Sequence, residues 1–226
     1  MVGFYDYTVI LTYLSLIVSI AGIFCTVHMR PGWAITCLAL SGLLDAFDGK
    51  VARSKKNRTE EEKRFGIQID SLCDMVCFGV FPVIFCWFAG MTSIPAMAIL
   101  AFYCLAGLIR LAYYNVMEEK RQQVTDEKRK YYCGMPITMI SVILPLLYVG
   151  FPLYRECFVT VLSIAMLVSG LLFICKFKCP KIGNRGLAVL IVIVGLAVMY
   201  LLFRFSWKHY VHLNLQNLPK FFRGGH

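Results

Sequence analysis

Apolar residues run for about twenty positions at a time, then give way to short basic stretches, and this block pattern recurs along the chain. A bilayer core of about 30 Å takes about twenty mostly apolar residues in helical form, because each backbone group must find its hydrogen bond within its own segment. Seven stretches meet that length: Thr8 to Val27, Trp33 to Arg53, Asp70 to Gly90, Ile94 to Val116, Met135 to Leu153, Cys157 to Cys175 and Leu187 to Phe203. Only Tyr154, Arg155 and Glu156 separate the fifth from the sixth, and the seventh is barely long enough, so the count lies between six and eight. The pattern predicts an all-α, polytopic transmembrane helical bundle. Residues 1–226 read as a single integral membrane domain, with no internal repeat.

Composition agrees. Of 226 residues, 59% are hydrophobic and only 16% charged, with a mean hydropathy of +0.68, whereas a soluble domain keeps roughly a quarter of its residues charged. A secreted disulfide scaffold, a disordered tail and a simple nucleic-acid binder are excluded. The 23 Lys and Arg against 13 Asp and Glu fit cytoplasmic loops and anionic headgroups, with no nucleic-acid partner. The N-terminus has neither a basic leader nor a small-residue cleavage site, so the first span is expected to be retained. Most of the ten cysteines stand singly in apolar runs as small hydrophobes. Cys73 with Cys77, and Cys175 with Cys179, lack the C-x-x-C spacing and nearby His of a zinc site.

Positively charged loops stay cytoplasmic. The loops after the second, fourth and sixth spans hold fourteen basic residues: Lys55, Lys56, Arg58, Lys63 and Arg64; Lys120, Arg121, Lys128, Arg129 and Lys130; Lys176, Lys178, Lys181 and Arg185. The alternate loops hold two, Arg30 and Arg155. The N-terminus and the three basic loops are therefore expected in the cytoplasm of a cell membrane. The basic, amphipathic tail 204–226, with Arg204, Lys208, Lys220 and Arg223, breaks the pattern if seven spans are right. It either lies along the interface or the span count is off by one.

Ionisable residues within spans cost a few kcal/mol each on translocon scales, so they tend to face a cavity. Outside the loops, tail and termini the acidic residues are Asp45, Asp48, Asp70 and Asp74, all within thirty residues on two consecutive spans. Asp45, Asp48 and Ala52 recur at i, i+3 and i+7; Gly66, Asp70 and Asp74 stack at i, i+4 and i+8. A cytoplasmic loop joins the two spans, so four carboxylates converge near one membrane face. Carboxylates that close repel and take up protons unless cations neutralise them, and oxygen-only ligands favour a hard divalent ion such as Mg2+ or Mn2+. Gly49 and Gly66 leave room for a ligand or a close helix approach. Ion pairing with Lys50, Arg53 and Arg110 is the plainer reading, but three bases for four acids leave one charge uncompensated.

Asp45-x-x-Asp48-Gly49-x-x-Ala52-Arg53 followed by Gly66-x-x-x-Asp70-x-x-x-Asp74 resembles the signature of the CDP-alcohol phosphotransferase family, at eight specified positions. The twelve residues from Ser54 to Phe65 make a longer connection than is usual there. The run from Asp70 to Pro82, Arg110-Leu111-Ala112 with Asn115, and Gly134-Met135-Pro136 resemble the family's CDP-diacylglycerol:serine O-phosphatidyltransferase branch. An Asn found in the first span of many members has no counterpart near Thr12 and Tyr13. The resemblance covers roughly the first 140 residues, and implies a homodimer.

The resemblance implies that an acceptor hydroxyl attacks the β-phosphorus of CDP-diacylglycerol and releases CMP, the acceptor being L-serine. Asp45, Asp48, Asp70 and Asp74 would hold two divalent cations, Mg2+ or Mn2+, with Asp74 also the general base. Gly49, Ala52 and Gly66 would let the nucleotide approach the helices, and Arg53 would orient the donor. Arg110, a planar cation deep in the fourth span, would take the serine carboxylate or pair with Asp70 or Asp74; Asn115 and Lys130 are further acceptor candidates, and Lys50 points off the stripe. Glycerol-3-phosphate, inositol phosphate or choline are rival acceptors. A divalent-cation transporter would continue the acidic residues along a path through the bilayer, and none continue beyond the cytoplasmic half. A membrane scaffold would need no carboxylate cluster.

Overall fold

The computed structural model of the protein describes residues 9–52, 59–124, 131–153 and 157–180, with positions 192, 195–196 and 199–200. The helices are α1 (Ile10–Val27), α2 (Pro31–Ala52), α3 (Glu60–Asp74), α4 (Phe81–Phe88), α5 (Ile94–Val124), α6 (Ile140–Gly150) and α7 (Phe158–Ile174). A π-helical segment, Met75–Val80, joins α3 to α4 without a break, and 3-10 turns at Ile137–Met139 and Phe151–Leu153 flank α6. Among the described residues, three helical stretches are long and apolar enough to cross a bilayer: Ile10–Val27, Glu60–Phe88 and Ile94–Lys120. Ile137–Gly150 and Phe158–Ile174 are shorter apolar helices. At 1.5 Å per residue α2 would also reach about 33 Å. Of the seventh expected span only positions 192, 195–196 and 199–200 are described, all helical, and the tail lies outside the described residues.

Side chains are arranged for lipid outside and polar contact within. On α1 the buried residues are Thr12, Ser15, Ser19, Gly22 and Thr26, recurring at three or four positions, while Ile10, Leu14, Ile17, Ile20 and Phe24 are exposed. That small and hydroxylated stripe packs on α2. Ser15 and Ser19 Oγ both meet Ser41 Oγ at 2.8 Å, and a Cβ added to Gly22 would lie 2.8 Å from that of Cys37. Close approach through small residues and interhelical hydroxyl bonds is how helices associate in lipid. The α1–α2 turn closes with Arg30 N–H donating to Cys25 O and Met29 N–H to Thr26 O, Met29 taking a left-handed φ of 56°.

The apolar core gathers Phe78, Phe81, Phe85 and Cys86 with Tyr103 and Ala106 of α5, Leu162, Met166 and Phe173 of α7, and Ile35 and Leu38 of α2. Two features refine the all-α reading of the sequence, in which the charged stretch before the third span reads as a solvated loop or a helix extension. The third does not begin at Asp70: the helix starts at Glu60, where Thr59 Oγ1 accepts from Glu62 N–H at 3.1 Å and Glu62 Oε2 accepts from Thr59 N–H at 3.0 Å. That reciprocal cap, with Glu60, Glu61 and Glu62 facing the positive helix end, turns the second half of the long connection into helix. The bundle also carries one short ladder, Tyr131–Cys133 (β1) antiparallel to Lys178–Pro180 (β2). It ties the basic loop after α5 to the one after α7, so both lie at the same end of the bundle.

Candidate metal centre

The aspartates arrive on two helices. The carboxyl-terminal half of α2 carries Asp45 and Asp48, and the last two turns of α3 carry Asp70 and Asp74. The i, i+4 spacing on α3 turns both of its carboxylates to one side, and one oxygen each from Asp45, Asp70 and Asp74 lie within 4.8 Å of one another. Asp45 and Asp74 are within hydrogen-bonding reach, as are Asp48 and Asp70. Asp48, only 8% exposed, also accepts from Thr12 Oγ1 at 3.2 Å, which brings α1 to the site. A donor set of carboxylate oxygens alone suits a hard divalent cation. Oxygens bound to one such ion stand at most about 4–5 Å apart, a limit within which the trio falls.

Gly66 lies one turn before Asp70 on α3, half-exposed. Gly49 and Ala52 belong to the last turn of α2, but their surroundings, like Lys50, Arg53 and Lys130, lie outside the described residues. Asn115 is placed differently from a bare acceptor ligand. Its Oδ1 accepts from Ser71 Oγ at 2.6 Å and its Nδ2 donates to Gln68 Oε1 at 3.4 Å, while Gln68 Nε2 reaches Glu119 Oε1 at 3.3 Å. Asn115 thus ties α5 to the helix that carries Asp70 and Asp74.

Arg110 is buried, 6% exposed, with its guanidinium carbon 4.5 Å from the Tyr114 ring centroid and Nη1 3.5 Å from Phe173 O near the end of α7. Gly134 explains itself here. Its φ of +76° favours glycine, and a Cβ would come within 3.0 Å of Arg110 Nη1, Leu172 O and Cys175 O. Ile109, Arg110, Tyr113, Tyr114, Cys175 and Lys176 line a cavity of about 150 Å³ between α5 and the end of α7. The aspartates are not among its lining residues. Sequence reasoning missed Thr12, Ser71 and Lys176; Ser71, adjoining Asp70 in the motif, carried the clearest signal.

Two helices delivering a carboxylate cluster in the Asp-x-x-Asp-Gly-x-x-Ala pattern agree with the sequence comparison, in which residues 8–158 match the profile of CDP-alcohol phosphatidyltransferase. The chain belongs to this family. Among curated relatives, a CDP-diacylglycerol--serine O-phosphatidyltransferase of Mycobacterium tuberculosis is 29% identical over 127 residues, 56% of this chain and 43% of that protein. One of Saccharomyces cerevisiae is 34% identical over 113 residues, 49% of this chain and 40% of that protein. One of Methanocaldococcus jannaschii is 30% identical over 152 residues, 67% of this chain and 66% of that protein. The chain therefore spans less than half the length of the mycobacterial and yeast relatives and about two thirds of the archaeal one.

Proposed function

We propose that this protein is a CDP-diacylglycerol-serine O-phosphatidyltransferase, transferring the phosphatidyl group of CDP-diacylglycerol to L-serine to give phosphatidylserine and CMP. The observation that carries the reading is the convergence of Asp45, Asp70 and Asp74, with Asp48 at their side, in a chain of this family. Mg2+ or Mn2+ held by the four aspartates, two ions in all, would neutralise the pyrophosphate and hold attacking and leaving oxygens in line. Gly49, Ala52 and Gly66 are where the nucleotide approaches the helices, and Arg53 orients the donor. A carboxylate oxygen of Asp74 takes the proton of the acceptor hydroxyl as its oxygen attacks the β-phosphorus. The bond from that phosphorus to the bridging oxygen breaks and CMP leaves.

Arg110 receives the serine carboxylate, with Asn115 and Lys130 at the acceptor side. The relatives' names favour serine. One observation favours a phosphate-bearing acceptor instead: Lys176 lines the same cavity as Arg110, and two convergent cations suit a phosphate. The reading also places the chain in the cell membrane as a single-domain homodimer, with the aspartates at the cytoplasmic face, in keeping with the basic loops. CMP release by the purified full chain in detergent, with CDP-diacylglycerol and Mn2+ or Mg2+, tests it. Release that depends on L-serine and that Asp74→Asn abolishes is expected. Release with glycerol-3-phosphate or inositol phosphate in place of serine would keep the chemistry and overturn the acceptor, and no release with any acceptor would overturn the enzyme.

A further inference from the structure

We propose that Tyr103 is a positioning residue for the aspartate site, acting through the π-helical turn that follows Asp74. The proposal rests on the functional reading above. Backbone bonding is α-helical up to Met75, whose N–H reaches Ser71 O and Leu72 O. By Phe81 it has slipped by one residue, for Phe81 N–H donates to Val76 O, five residues back. Between the two lies Met75–Val80, the first segment after Asp74.

Pro82 accounts for the slip. It has no N–H to give the carbonyl four residues back, which is that of Phe78, and its ring would crowd that carbonyl in a regular α-helix. Phe78 is fully buried, and a buried carbonyl left without a donor is destabilising. Tyr103 Oη supplies the donor, at 2.6 Å from Phe78 O. Tyr103 is itself 0% exposed and is held from behind: its ring meets Phe173 at 5.3 Å, and Gly170 of α7 leaves room against its backbone. The hydroxyl therefore comes from a fixed support.

The turn sets which way the aspartates face. An extra residue in one turn rotates what precedes it by about 100° and shifts it by about 1.5 Å relative to an unbroken α-helix. Phe81, Phe85 and Cys86 beyond the turn are locked into the core. If the turn closed to α-helical bonding, the rotation would fall on α3, which is held to α5 by part-buried and exposed polar bonds rather than by core packing, and would carry the stripe of Asp70 and Asp74 away from Asp45. The Tyr103 hydroxyl bond stabilises the slipped register over the regular one.

Mn2+ binding to the purified full chain, followed by electron paramagnetic resonance in detergent without substrate, tests this alongside thermal unfolding. Tyr103→Phe is expected to weaken Mn2+ about tenfold, the order of effect seen when a group supporting metal ligands is lost. Pro82→Ala adds an N–H that competes for the Phe78 carbonyl but also gives up the ring methylenes of a fully buried residue, so it is expected to weaken Mn2+ with some loss of melting temperature. It carries the test if Tyr103→Phe does not fold. In the double variant the N–H introduced by Pro82→Ala satisfies the carbonyl, so the melting temperature should recover to that of Pro82→Ala alone while Mn2+ stays weakly bound. Recovery of both would mean that Tyr103 only satisfies a buried carbonyl, and would overturn the proposal, as would unchanged Mn2+ affinity in Tyr103→Phe or Pro82→Ala. Absence of Mn2+ binding by the unsubstituted chain would overturn the functional reading and this inference with it.

Discussion

Thr12→Val removes one hydroxyl from α1 and keeps the shape of the side chain, so it isolates the bond to Asp48. Both residues are buried, and the oxygens stand 3.2 Å apart. A hydrogen bond to a charged group is worth about 1.5–3 kcal/mol in a folded protein. Interhelical bonds within membranes average about 0.6 kcal/mol. The distance here is long for two oxygens, which argues for the lower part of that span, but the acceptor is a carboxylate facing other carboxylates. An effect of about 1–2 kcal/mol corresponds to a factor of 5–30 in an equilibrium constant. Because the bond holds one oxygen of Asp48, the loss should appear mainly as weaker divalent-cation binding, with a smaller fall in melting temperature. The assay is the Mn2+ concentration dependence of CMP release and of Mn2+ binding, with Thr12→Ser as the control that keeps the donor. Mn2+ dependences within about twofold of each other for the Val and Ser variants would refute a role for this bond at the site.

Two further outcomes follow from packing and sidedness. A Cβ on Gly42 would run into Ser141 of α6, so Gly42→Ala should cost about 1–3 kcal/mol through overpacking, read as a lower melting temperature in detergent. Adding Ser141→Gly should restore most of the loss, and failure to do so would mean that α2 and α6 do not meet as described. Cys157 and Cys175 are exposed at opposite ends of α7, so single-cysteine variants report orientation. A membrane-impermeant maleimide added to intact cells should label Cys157 and reach Cys175 only after permeabilisation; the reverse would invert the proposed topology.

The aspartate site was legible because helical spacing alone turns Asp70 and Asp74 to one side, and the two spans that carry the aspartates are consecutive and joined at one membrane face. The helix start at Glu60 was also written plainly, as Thr59-x-x-Glu62, and the mostly charged stretch around it reads from sequence as a solvated loop or a helix extension, of which the second holds from Glu60 on. The π-helical turn was not legible. Pro82 marks where a regular helix must fail, yet the choice of the wider turn depends on a hydroxyl from α5 that is 25 residues away in the chain. The β1–β2 ladder escaped for a related reason: three residues per strand are too few to show alternation, and the pairing joins positions 131 and 180. Asn115 was picked out as a polar residue in a span, but whether it meets a ligand or Ser71 is decided by how α5 lies against α3.

The hydroxyl stripe of α1 bears on how the protein is made. With a mean hydropathy of 2.2 over its 18 residues, α1 can enter the bilayer alone, its lipid side outweighing the stripe. The helix that follows is costlier to insert, because it carries two aspartates in its carboxyl-terminal half and ionisable residues within a span are penalised. Thr12, Ser15 and Ser19 give the incoming helix a surface to settle against, with Thr12 waiting for Asp48. The first two helices are thus suited to enter as a hairpin, since the contacts that orient Asp48 lie within that pair.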